Sequence, residues 1–137
     1  MVIFLLLATS CSIQNPSAKK QPVNLEDIVI NHEIAAVAKQ KAVAVKGVEE
    51  ATAMAIGKEL SLAIKVSGFD RFRLQSIREQ VHDTVKELDP NNNVFVTSDK
   101  KLFVRLQQIE QQGVQAQEES LQDIGSEFKE IIKDMGD

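Results

Sequence analysis

The 137-residue sequence predicts an α+β fold: a small three-stranded sheet with helices packed on one face, in the order α-β-β-α-β-α, followed by a C-terminal helical extension. Three observations predict it. ELSLAIKV alternates Leu60, Leu62, Ile64 and Val66 with Ser61, Ala63 and Lys65, the period-two pattern of a half-buried strand. VEEATAMAI precedes it with only Gly57 and Lys58 between, a hairpin signal. LQSIREQVHDTVKEL then sets Leu74, Ile77, Val81, Val85 and Leu88 at spacings of three and four, the stripe of an amphipathic helix. The length suits one domain with a modest core.

The chain begins with VIFLLLA, seven apolar residues, where a helical membrane span needs roughly 20. Seven is the lower limit of a signal-peptide apolar region, and the small residues Ala8, Thr9 and Ser10 follow it. Nothing basic precedes the run, which leaves open a start upstream of Met1. Cys11, the single cysteine, stands directly after ATS, as in a bacterial lipobox whose cysteine is diacylated and becomes the new N-terminus. Residues 1–10 are therefore expected to be a lipoprotein signal peptide, and a buried first strand with an inert thiol is the other reading. Residues 11–23, polar and proline-containing, suit a flexible tether.

NLED at Asn24 offers a helix cap with acids in the first turn, and a helix is expected over residues 25–46. Its face is Leu25, Ile28, Ala35, Ala38, Ala42 and Val45, and Gly47 supplies the stop. After the hairpin, FDRFRLQSIREQVHDTVKELDP reads as the second helix, ended at Asp89-Pro90. VFVT is a short third strand, expected beside the first, antiparallel to it and parallel to the second. One face of the sheet is then covered by the two central helices and the other is at least partly open. Asp99 caps a final helix from Lys100, and its apolar phase changes at Gly113, where a break or kink is expected. Residues 24–112 are read as the domain and 113–137 as an amphipathic helical extension.

With its elements in this order, the sequence resembles the sporulation lipoproteins of the YhcN/YlaJ type. The resemblance rests on KGVEEATAMAIGKELSLAIKV, FDRFRLQSIREQV and DPNNNVFVTSDKKLFVRL, with the lipobox-like ATSC ahead of them, and covers residues 28–112. The plan is also similar to the BON-type modules of bacterial envelopes. The resemblance implies a membrane-anchored, non-enzymatic lipoprotein on the outer face of the cell membrane, and on the spore membrane in the sporulating cell. It further implies a role in sporulation or germination, and it carries no catalytic residues to transfer.

The charges set further bounds. A net charge of −4 argues against a nucleic-acid partner. One Cys and two distant histidines, His32 and His82, give no metal-ligand spacing, so neither a metal nor a cofactor is expected. No catalytic motif is present, and the acid pairs Glu49-Glu50 and Glu118-Glu119 read as solvated surface.

Arg71, Arg73 and Arg78 at the start of the second central helix, with Lys100, Lys101 and Arg105 opening the last, are the candidate contacts for an anion or lipid headgroup. Helix N-termini would assist them. Ordinary surface pairing with Asp70, Glu79 and Asp99 is the plainer reading. In the tail, Leu121, Ile124, Phe128, Ile131 and Met135 form one face, fit for a partner helix or for packing back on the sheet.

The leading reading is thus a lipid-anchored binding or scaffold module, with the membrane and an envelope or spore protein as partners. The alternatives are an enzyme or enzyme accessory acting on spore cortex or cell wall, and a soluble partner-binding domain without an anchor.

Overall fold

The computed structural model describes residues 28–136. The signal peptide expected over residues 1–10, Cys11, the tether over 11–23, and the cap expected at Asn24 with Leu25 behind it lie outside the described residues.

The elements are α1 (His32–Ala44), β1 (Val48–Ile56), β2 (Glu59–Val66), a 3₁₀ helix (Gly68–Arg73), α2 (Leu74–Lys86), β3 (Asn93–Thr97), α3 (Lys100–Val114) and α4 (Glu118–Met135). The first helix starts later than expected, because Asn31 caps it by accepting from Ile34 N at 3.1 Å. Residues ahead of it run extended instead: Ile30 bridges Ile56, Asn31 N donates to Ala55 O and Gly57 N donates to Val29 O. α1 buries only alanines, Ala35, Ala38 and Ala42, so its backbone approaches the sheet closely. Its end at Ala44 leads to Gly47, whose φ of +101° and cramped surroundings exclude a side chain. A Cβ there would stand 2.7 Å from Ile77 Cδ1.

β1 and β2 form the expected antiparallel hairpin, with Ile56 opposite Glu59 across a turn in which Gly57 has φ +59°. β3 runs parallel to β2, as expected, but it lies beside β2 and not beside β1: Leu60 pairs with Val94 and Leu62 with Val96. The outer edge of β1 is partly taken by residues 29–31, and the β2–α2–β3 crossover closes onto the neighbouring edge with α2 alongside α1.

α1 and α2 cover one face, as expected. Their side chains Ala35, Ala38, Ala42, Ile77, Val81 and Val85 close over Ala53, Leu60, Leu62 and Ile64. The other face is not open. α3 and α4 bury Phe103, Leu106, Ile109, Ile124, Phe128 and Ile131 against Met54 and Ala63, so helices lie on both faces and the sheet is a middle layer. This corrects the one-faced arrangement. It explains why β2 is buried at successive positions despite its alternation, since both sides of the strand are covered.

The phase change near Gly113 has a definite origin. α3 continues through Gly113 to Val114, and the chain turns at residues 115–117 before α4. Gly113 is a point of close approach, where a Cβ would stand 2.8 Å from Met54 Cε. The tail face that sequence left between a partner and the sheet is on the sheet: Ile124, Phe128 and Ile131 are buried, with Leu121 and Met135 half-buried. At the outer edge of β1, Glu110 of α3 accepts from Thr52 of β1 and from Lys39 of α1, joining the two helical layers.

Candidate functional site

β2 and β3 are parallel, and both finish at the end of the sheet where the 3₁₀ helix leaves and α3 begins. A cleft of about 530 Å³ opens there, lined by Glu49, Lys65, Gly68, Arg71, Ser98 and Lys100 around the apolar floor of Ile64, Val66 and Leu74. The carboxyl ends of parallel strands are where open α/β sheets hold ligands.

Of the six basic residues singled out by sequence, this cleft unites two. Arg71 and Lys100 both line it and have no ion-pair partner among the described residues. Lys101 lies exposed beside Lys100. Arg73 is turned to Asp70 at 3.4 Å, and Asp70 also accepts from the Ser67 hydroxyl at 2.7 Å. Arg78 lies apart on α2, beside Glu79, His82, Asp83 and Val96, with its Nε buried and unpartnered.

Arg105 is committed elsewhere. Its Nε donates to Glu127 at 2.7 Å and its Nη1 to Asp134 at 2.7 Å, and these hydrogen bonds hold its pKa above the ordinary arginine value. It clamps α3 to α4.

The helix N-terminus contributes less than sequence suggested. Asp99 Oδ1 accepts from Lys101 N at 2.8 Å and Leu102 N at 2.9 Å, so the chain's own carboxylate occupies the first turn of α3. The arginines at positions 71 and 73 sit on the 3₁₀ helix ahead of α2, not in its first turn. What the cleft offers an anion is therefore side-chain charge.

Sequence reasoning missed three residues at this end of the sheet, of which only the first lines the cleft. Lys65, read only as a strand residue, reaches the cleft rim, bonds Glu50 at 2.8 Å and lies 4.4 Å over the Phe103 ring. Phe69 and Phe72 are the others, 91% and 85% exposed on the 3₁₀ helix. Their signal was available, because both fall off the stripe set by Ile77, Val81 and Val85. Elsewhere among the described residues, no group of three or more His, Cys, Asp or Glu side chains could hold a metal ion. No described helix is long and apolar enough to cross a membrane.

A family model described as sporulation lipoprotein YhcN/YlaJ matches residues 13–136, a wider span than the motifs that suggested it and one that takes in α4. No curated protein and no solved structure matches the chain.

Proposed function

The chain belongs to the YhcN/YlaJ family of sporulation lipoproteins, and from this premise we propose a non-catalytic docking module held on the outer face of the cell membrane by lipid on Cys11. In the sporulating cell the same anchor would place it on the spore membrane, in spore formation or germination. The observation that carries the reading is the span of the family match, which begins at residue 13, two positions after the cysteine that follows ATS. Two acyl chains suffice for stable anchoring where one is marginal.

The head supplies the binding surface. Arg71, Lys65 and Lys100 face a cleft with an apolar floor, a chemistry that suits a phosphate or carboxylate carried by an envelope component. A head already held at a surface needs only weak additional attraction, about 1 kcal/mol per basic residue near anionic lipid, to settle against it.

Mass spectrometry of the protein purified from a spore-forming host tests the anchor. The expected N-terminal peptide starts at Cys11 and carries the mass of the acyl chains. An intact Met1 N-terminus with a free Cys11 thiol overturns the reading.

A further inference from the structure

We propose that Phe69 and Phe72 are the part of this domain that enters the membrane surface, and that the occupant of this end of the domain is an anionic lipid bilayer. The inference rests on the lipoprotein reading above and adds the contact by which the head meets the lipid.

A 3₁₀ helix has three residues per turn, so side chains at i and i+3 eclipse. Gly68–Arg73 therefore presents three separate edges. Asp70 and Arg73 share one, paired with each other and with Ser67. Arg71 occupies another, in the cleft with Lys100. Phe69 and Phe72 share the third and meet almost nothing, whereas Phe103 and Phe128 of the same chain are each 1% exposed. Two phenyl rings left in water on one edge are a marked departure from the usual placement of large apolar side chains.

The charge around the rings selects the partner. Arg71, Lys100 and Lys101 are exposed at this end, and Lys46 is exposed at the adjoining end of α1. Most acids at this end are engaged by the chain itself: Asp99 accepts from backbone N–H groups of α3, Asp70 meets Ser67 and Arg73, and Glu50 pairs with Lys65, which leaves Glu49 on the cleft lining against these cations. Aromatic rings flanked by cations match the interfacial zone of an anionic membrane, where the rings enter the acyl boundary and the cations stay at headgroup level. The turn is also preset: Ser67 N donates to Gly47 O at 3.0 Å and Asp70 N to Ser67 O at 3.0 Å, so insertion requires little ordering.

Reach permits it. The chain joins the domain at Ile28–Ile30, beside Ile56 at the hairpin end of the sheet, while the 3₁₀ helix follows β2 at the opposite end. Strand β1 spans roughly 30 Å, and the residues from Cys11 to Asp27 reach up to about 55 Å when extended. The anchor therefore leaves enough chain for the far end of the domain to turn to the same bilayer.

The sequence has no Trp, so a single introduced Trp is an unambiguous reporter. The full chain is coupled through Cys11, its only cysteine, to a maleimide phospholipid in vesicles of phosphatidylglycerol and phosphatidylcholine. The F69W protein is then compared with V114W, which replaces an exposed residue at the other end of α3. Expected is a shift of F69W emission to shorter wavelength with quenching by brominated lipid. The V114W signal stays as in water. Adding Phe72→Ser, or replacing phosphatidylglycerol by phosphatidylcholine, should reduce the F69W shift.

An F69W spectrum unchanged on these vesicles, or a V114W shift as large as that of F69W, overturns the proposal. The unchanged spectrum would leave a protein as the occupant of the rings. Because the coupling is chemical, this outcome is independent of whether Cys11 is acylated in the cell, which the mass spectrum decides.

Discussion

Ile28 packs directly onto Gly125: a Cβ at position 125 would stand 2.9 Å from Ile28 Cδ1 and 3.4 Å from its Cγ1. The segment that arrives from the N-terminal side is thereby seated on α4. Glycine inside a helix costs roughly 1 kcal/mol relative to alanine. Gly125→Ala alone should therefore bring little or no gain, since the helix benefit is offset by displacing Ile28. In an Ile28→Ala background the same change should stabilise by about 1 kcal/mol. Urea unfolding of the four proteins checks this, and strictly additive effects would show that the two residues are not coupled.

Arg105 gives a second prediction, about how α3 and α4 are held together. Its guanidinium meets Glu127, Asp134 and Glu130 from successive turns of α4. The side chain is 31% exposed, so solvent screening limits the effect, and Arg105→Ala should cost about 1 kcal/mol at low salt and less at high salt. Arg105→Lys should not restore it, because one compact ammonium lacks the planar fork whose Nε and Nη1 reach Glu127 and Asp134 separately. Its raised pKa means that the contribution is fully present below the ordinary arginine value and is lost only as pH rises past the folded-state value. Denaturation midpoints at two salt concentrations read the effect, and full rescue by lysine would contradict it.

What was legible in the sequence followed from periodicity. The stripe of Ile77, Val81 and Val85, the alternation along β2 and the hairpin at Gly57 all describe local geometry that one element sets by itself. What was not legible depended on a second element. β3 could not be placed beside β2 from its own residues, because the choice turned on the bridge from Ile30 to Ile56 at the other edge. The cap at Asp99 was legible, and in the fold that carboxylate takes the N–H groups of α3 that an external anion would use. Of the basic candidates, sequence spacing could not separate Arg71 and Lys100, which share a cleft, from Arg105, which α4 engages across the turn.

The tail carries the third prediction. Its apolar face had the same spacing whether it met a partner or the sheet, and only the second core distinguishes the two. Ending the chain before Glu118 removes Ile124, Phe128 and Ile131 from contact with Met54, Ala63, Phe103, Leu106 and Ile109. Full burial of side chains of this size contributes about 1.5–3 kcal/mol each, against a total stability of about 5–15 kcal/mol for an ordinary domain. The truncated protein should lose cooperative thermal unfolding and bind a hydrophobic dye. Phe128→Ala in the full chain should cost about 3–5 kcal/mol, because it leaves a cavity under α4. An accessory helix held for a partner would behave differently. Its removal would leave the melting midpoint where it was, and that result would return residues 118–135 to the role of a free docking face.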